Sequence, residues 1–364
     1  MDTDVTFLQR RPNPGQFSVE GYFDRIPEHL ECAFSVRRCT APFRSRGLFR
    51  RLLNLLWAML FLRGIVHVTG DINYAAIPGV RRSRVLTVLD LEVLSRLNGL
   101  RAWVVYWLWF RLPILRVAVV TVISDETRRQ LLARVPVNPE RVVVIPVSVS
   151  PRFQFSPSGF RTQRPVILQV GTKHNKNVAR LVEALDGLCC ELVIVGRVNS
   201  ELERKLNQHQ VEHRLLGIVD DESLLRAYEN CDIVSFCSTH EGFGMPIVEA
   251  QSVGRVCVTS NCSSMPEVAG NGACFVDPFD VCSIRAGFER VISDECFREQ
   301  LIHNGRQNVL QFGPEEIGKR FSAVYRAISE SWQVSGTAAD WEGTLVAKLQ
   351  SELGGSPTQN GAGM

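Results

Sequence analysis

Glu241 and Glu249 stand eight residues apart around Gly242-Phe243-Gly244-Met245-Pro246, directly after the apolar run Ile233-Val234-Ser235-Phe236. A strand, a loop with two glycines and a helix with proline in its first turn account for that order, because a proline there forfeits no intrahelical bond. Backbone N–H groups then point out of the helix start, which is a place to hold an anion. A second stretch has the same plan: Val170-Gly171-Thr172-Lys173-His174-Asn175-Lys176-Asn177 passes from a strand end through a glycine to a helix start. Lysines at such a helix start would neutralise a phosphate, above all the charge that grows on a departing one. His174 reads as a surface loop residue, and Lys173 reads equally well as a solvated loop lysine.

Positioning these loops falls to the elements around them. Residues 166–170, 192–195, 233–236 and 256–259 are short apolar runs separated by helical patterns, as are residues 65–68, 85–88 and 117–123 earlier in the chain. Such alternation predicts parallel sheets covered by helices. In open sheets of this kind ligands bind beyond the carboxyl ends of the strands, where both loops lie. A chain of 364 residues is too long for one ordinary core. The proline-rich stretch 146–165 divides it into an N-terminal domain over 1–150 and a C-terminal domain over 151–330. A tail over 331–364 follows, and its Gly/Ser-rich end is expected to be disordered.

In this setting the two glutamates resemble the Glu-x7-Glu signature of glycosyltransferase family four, the retaining glycosyl transferases of group 1. The flanks agree: Arg226-Ala227-Tyr228-Glu229-Asn230-Cys231-Asp232 precedes the signature, and Met265-Pro266-Glu267-Val268 with Gly272 follows it. The resemblance covers roughly residues 5–330 and is strongest in the C-terminal half. It implies the GT-B fold, an α/β architecture of two Rossmann-like, doubly wound domains facing a central cleft. The N-terminal domain would bind the acceptor, a saccharide or a lipid-linked one, and the C-terminal domain a nucleoside-diphosphate sugar. Residue by residue, the resemblance puts Glu249 on the ribose hydroxyls and Glu241 on the donor sugar. Gly242, Phe243, Gly244 and Met245 lie near sugar and phosphate, with Gly171 and Lys176 at the diphosphate. A carboxylate suits a vicinal diol because it accepts two hydrogen bonds, each worth about 1.5–3 kcal/mol when charge-assisted.

Three positions depart from the pattern or extend it. Many members have an arginine right after the first glycine; here Thr172 stands there, so Lys173 or Arg197 of Val195-Gly196-Arg197 supplies a second cation or none does. After the strand at 85–88 the family commonly has His-Asp, whereas this chain has Leu89-Asp90. Leu89 cannot bond a sugar hydroxyl, so Asp90 or another group takes that task, or the reaction is impaired. Gly15, in the loop after the first strand, would allow close approach of phosphate or acceptor, or it serves an ordinary turn. The resemblance implies retention of anomeric configuration without metal or cofactor. The one Asp-x-Asp, Asp2-Thr3-Asp4, lies at the very start of the chain. Hexosyl transfer in polysaccharide, lipopolysaccharide or glycolipid synthesis is the expected role. A catalytically inactive nucleotide-sugar scaffold is the alternative that Leu89 suggests. A nicotinamide-linked dehydrogenase is disfavoured, since no G-x-G-x-x-G follows a first strand.

Composition bears on partners. Residues 1–150 hold 21 arginines, no lysine and 12 acidic residues, a balance of +9, while the whole chain carries +3, which leaves −6 for the remainder. A basic half suggests an anionic partner, either a phosphate-bearing acceptor or a membrane. The stretch 43–53 mixes arginine with phenylalanine and leucine and reads first as a core-packed helix with a basic outer face, second as a contact with anionic membrane. No nucleic-acid module accompanies it. Trp103, Trp107 and Trp109 have helical spacing and are expected in a core. The apolar runs 52–62 and 102–110 fall short of the roughly 20 residues of a bilayer span, and the N-terminus has no secretory pattern. Eleven cysteines without a C-x-x-C pattern are expected to be reduced, with Cys231, Cys237, Cys257 and Cys274 in the core. The expected location is the cytoplasm, including the inner face of the membrane.

Overall fold

The computed structural model describes residues 3–11, 18–45, 47–61, 63–332 and 338–353. The chain divides into two units, one of Met1–Pro146 with Pro314–Met364 and one of Val147–Gly313.

The first unit is built on β1 (Thr3–Gln9), β2 (Phe34–Thr40), β3 (Ile65–Thr69), β4 (Arg84–Val88), β5 (Val119–Val122) and β6 (Val142–Val144), in the order β2-β1-β3-β4-β5-β6. All pairings are parallel. Strands covered on both faces need continuous apolar runs, and β3, β4 and β5 are buried along their whole length.

The second unit is built on β7 (Val166–Val170), β8 (Glu191–Val195), β9 (His213–Gly217), β10 (Ile233–Phe236), β11 (Val256–Ser260) and β12 (Cys274–Val276). Their order is β12-β11-β10-β7-β8-β9, again all parallel. The chain winds outward from β7 to β9, returns to β10 beside β7, and winds out the other way. That reversal leaves a crevice beyond the carboxyl ends of β7 and β10, between helices that turn to opposite faces. Ile167, Leu192 and Ile194 pack against Leu181, Val182, Leu202 and Leu206, which makes the sheet a rigid base for the loops above it. Cys231, Cys237, Cys257 and Cys274 are buried and unpaired, as small apolar residues of this core.

The C-terminal segment departs from the division read from composition. The helix Pro314–Ser331 buries Ile317, Phe321, Val324, Tyr325 and Ile328, a single amphipathic stripe. It belongs to the first unit, where the Tyr325 hydroxyl lies 2.7 Å from Nδ1 of His67 on β3. His67 Nε2 lies 2.7 Å from Thr87 Oγ1, itself 2.7 Å from Thr121 Oγ1. A Cβ on Gly318 would stand 2.1 Å from the His29 carbonyl oxygen, so glycine is what permits the approach. Apolar periodicity identifies such a stripe but not the sheet that covers it, which is why residues 314–330 read as a continuation of the second domain. Within the expected tail, Ala338–Leu353 forms a helix whose Trp341 is buried and donates to Ser331 Oγ at 2.9 Å. Residues 354–364, where disorder was expected, and Gly15 lie outside the described residues.

Candidate functional site

The two loops read from the sequence meet at the reversal of the second sheet. After β7, Gly171 turns the chain at φ 87° and its N–H donates to Val195 O at 2.8 Å. A Cβ at Gly171 would come within 3.2 Å of Lys176 Cε, so the glycine leaves room for that lysine to fold back. One turn later Asn177 takes the left-handed conformation, φ 57°, which asparagine tolerates better than most residues. Its buried amide donates to Cys237 O at 3.1 Å and to Pro278 O at 2.7 Å, tying the loops after β7, β10 and β12 together. Arg180 Nη1 completes it by donating to Asn177 Oδ1 at 2.9 Å.

Lys176, held between Asn175 and Asn177, extends its Nζ to 2.7 Å from Glu241 Oε1 and 4.3 Å above the ring of Phe236. Both side chains of that ion pair are 16% exposed, so water screens them only in part. Asn175 Nδ2 donates to the same Glu241 oxygen at 2.9 Å and to His240 O at 3.0 Å, while Thr239 N donates to Asn175 O at 2.8 Å. The loop 241–243 is clamped from the other side. Ser263 Oγ donates to Glu241 O at 2.8 Å, and Ser264 Oγ to Phe243 O at 2.6 Å.

The helix Met245–Val253 begins at Gly244, φ 126°, and has no side chain capping its first turn. Within that turn Pro246 has no N–H and the Ile247 N–H donates to Gly244 O at 2.9 Å, and the glycine puts no side chain over the Met245 N–H. Phe243 is buried edge-on against Phe312, ring centroids 5.6 Å apart, and Met245 is half-buried. On the same helix Glu249 Oε2 accepts the hydroxyl of Tyr228 at 2.6 Å. Burial, and then the neighbouring Glu249 carboxylate, hold the Tyr228 phenol well above the ordinary range, so it is a permanent donor to that carboxylate.

Lys173 and Arg197 are exposed. Thr172, which stands where many family members have an arginine, donates its hydroxyl to Arg197 O at 2.5 Å and so joins the turns after β7 and β8. Asp90 belongs to the first unit, where it follows β4; its Oδ1 accepts the Glu92 N–H at 3.1 Å at the start of the helix Glu92–Arg96. Leu89 is half-buried. Tyr228, Asn175, Asn177, Ser263 and Ser264 join the cluster beyond the residues that the motifs single out. The asparagines flanking Lys176 were a local signal, whereas the serines act across more than 20 residues and left none.

A doubly wound pair of parallel sheets, with two carboxylates and a lysine at the switch point of the second, defines a protein of the GT-B type. Residues 151–308 match the model of the family described as Glycosyl transferases group 1. It is 36% identical over 115 residues to the O-antigen chain mannosyltransferase B of Escherichia coli, covering 32% of this chain and 30% of that one. It is 26% identical over 217 residues to the MMP alpha-(1->4)-mannosyltransferase of Mycolicibacterium hassiacum, 56% of this chain and 52% of that one. The matches thus span about half the length of these curated relatives or less. Among solved structures, sucrose-phosphate synthase from Thermosynechococcus elongatus superposes with a TM-score of 0.73 at 14% identity, over 90% of this chain and 100% of that one. Anabaena HepE in complex with UDP and glucose superposes with a TM-score of 0.71 at 16% identity, over 90% and 100%. At such identities the likeness establishes the fold.

Proposed function

We propose that the protein is a retaining, metal-independent glycosyltransferase whose second unit binds a nucleoside-diphosphate sugar and whose first unit takes the acceptor. The observation that carries this reading is the cluster at the switch point, where Lys176 and Glu241 lie 2.7 Å apart beneath an uncapped helix start, with Glu249 on that helix. Lys176 and the Met245 N–H at the helix start suit a diphosphate, Glu241 the hydroxyls of the sugar, and Glu249 those of the ribose. As the bond from the anomeric carbon to the phosphate oxygen breaks, the electron pair stays on the phosphate, and Lys176 faces the charge that results. The acceptor hydroxyl forms the new bond on the same face and its proton passes to the departing phosphate oxygen. Atoms and charge balance without a metal ion.

The mannosyltransferase relatives, among them enzymes named for O-antigen and for phosphatidyl-myo-inositol, support a mannosyl donor and a saccharide or glycolipid acceptor. The test is release of nucleoside diphosphate from GDP-, UDP- and ADP-sugars with saccharide and lipid-linked acceptors, in EDTA. Transfer from one donor, unaffected by EDTA, is the expected result. Transfer that disappears in EDTA and returns with manganese contradicts the mechanism. Leu89 favours a second reading, a nucleotide-sugar-binding scaffold. Tight donor binding with no diphosphate release from any acceptor would establish that one instead.

A further inference from the structure

A face of the first unit, apart from any residue assigned to sugar transfer, is left exposed by the described residues. Leu48, Phe49, Leu52, Leu56, Met59 and Leu60 are each between 49% and 76% exposed. With about 100° of rotation per residue, the first four fall within about 100° of one another on the helix Leu48–Ala58. Met59 and Leu60 continue that face past the helix end. The opposite side is locked inward by Asn54, fully buried, whose amide donates to Phe43 O at 2.8 Å and to the Tyr74 hydroxyl at 3.0 Å. The apolar face is therefore held outward by a satisfied buried amide, and the expectation of a core-packed helix with a basic outer face does not hold.

The neighbouring helical segment extends the same character. The Arg51 guanidinium stacks 4.4 Å over the ring of Trp109, joining the two segments side by side. On the second, Leu100 is 75% and Trp103 60% exposed, so Trp103 is not the core residue its spacing suggested. Trp103, Val104, Trp107, Leu108 and Leu112 line an apolar hollow of about 280 Å³. Single exposed apolar side chains are ordinary, but a contiguous apolar face marks an interaction surface.

Charge selects the partner. Residues 32–70 hold seven arginines and residues 93–124 hold four, with no aspartate or glutamate in either stretch. A second copy of this face would set arginine against arginine. An anionic bilayer instead takes the apolar side chains at the acyl boundary and the guanidinium groups at its phosphates. Among the described residues no helix is long and apolar enough to cross a membrane, so the contact is interfacial.

We propose that this face docks the first unit on an anionic lipid bilayer, with Leu48, Phe49, Leu52, Leu56 and Trp103 entering the acyl boundary and Arg44, Arg50 and Arg101 at the headgroups. The proposal is independent of the transfer reaction. Its test is flotation of the full chain with vesicles of phosphatidylcholine alone and of phosphatidylcholine with phosphatidylglycerol. Binding is expected only where phosphatidylglycerol is present and should weaken as salt is raised. Arg44→Gln and Arg50→Gln should each lower the partition coefficient about fivefold, and Phe49→Glu with Leu56→Glu should lower it by about tenfold or more. All these side chains are exposed, so the variants should melt with the wild type. Trp103 emission should shift to the blue on vesicles and be quenched by brominated acyl chains, a change lost in Trp103→Phe. Three results overturn the proposal: equal or absent binding to both vesicle types, unchanged partition in the variants, or a soluble dimer that Phe49→Glu with Leu56→Glu dissociates.

Discussion

Lys176 and Glu241 lie 2.7 Å apart, and in the proposed reaction a donor would offer its diphosphate to the lysine and its sugar hydroxyls to the carboxylate. The two ends of the donor would then be gripped at different stages. Glu249 would hold the ribose equally in ground and transition states, so Glu249→Ala should raise the donor KM by an amount equivalent to about 1.5–3 kcal/mol and leave kcat nearly unchanged. Lys176 would face charge that appears only as the bond breaks, so Lys176→Ala should lower kcat by about 10²–10³-fold with a smaller effect on KM. Steady-state kinetics in donor concentration separates the two. Tyr228 fixes one oxygen of Glu249 at 2.6 Å. Tyr228→Phe should therefore raise the donor KM about tenfold, the equivalent of one charge-assisted bond, and should add little in a Glu249→Ala background, because the two act as one unit. Glu241, Glu249 and Lys176 were legible because each lies within a few residues of a glycine turn and a helix start. The contacts that aim them were not, since Asn175 meets Glu241 across 66 residues and Asn177 meets Pro278 across 101.

Gly244 shows what the elements demand of a single position. It sits at φ 126°, and a Cβ there would lie 3.1 Å from Ile247 Cδ1 and 3.4 Å from Phe236 Cε1. Gly244→Ala should cost about 1–3 kcal/mol in stability and, in the proposed function, should weaken donor binding with it, because the added methyl would stand at the helix start meant for the phosphate. Chemical denaturation and donor titration on one preparation check both effects. Strands and their order of alternation were legible from apolar runs, and the loop after β10 from its glycines and proline. The orientation of the helix Leu48–Ala58 was not. Arg50, Arg51 and Asn54 share one side of it, which periodicity alone would turn to solvent, whereas the buried amide of Asn54 turns that side in. Asp90 is a similar case: the sequence offers a carboxylate after β4, and its bond to the Glu92 N–H is a matter of local turn geometry.

The whole first unit is closed by a helix that arrives from the far end of the chain, and His67 sits where that helix docks. Burial lowers the His67 pKa to about 3, so the folded ring stays neutral while the unfolded ring protonates near 6.5. Below about pH 6.5 the unfolded state binds the extra proton, and stability contributed above that value is lost as pH falls toward about 3, at up to ~1.4 kcal/mol per pH unit. The melting temperature should thus fall through this window, and more steeply in the wild type than in His67→Gln. Gly318→Ala tests the same docking by placing a Cβ 2.1 Å from the His29 carbonyl; a loss of about 1–3 kcal/mol is expected from overpacking. That long-range return was the least legible feature of the sequence, because nothing local distinguishes a helix that packs on the nearer sheet from one that goes back to the first. A diphosphate site built on Lys176 for a departing nucleotide can be read from calorimetric titration in EDTA of nucleoside diphosphate and of the intact nucleotide-sugar into wild type and Lys176→Ala. Free diphosphate carries the charge that transfer creates, so its affinity should fall by about tenfold or more in the variant while that of the intact donor falls less. Equal losses for both ligands, or no loss for either, would mean that Lys176 does not hold the departing diphosphate.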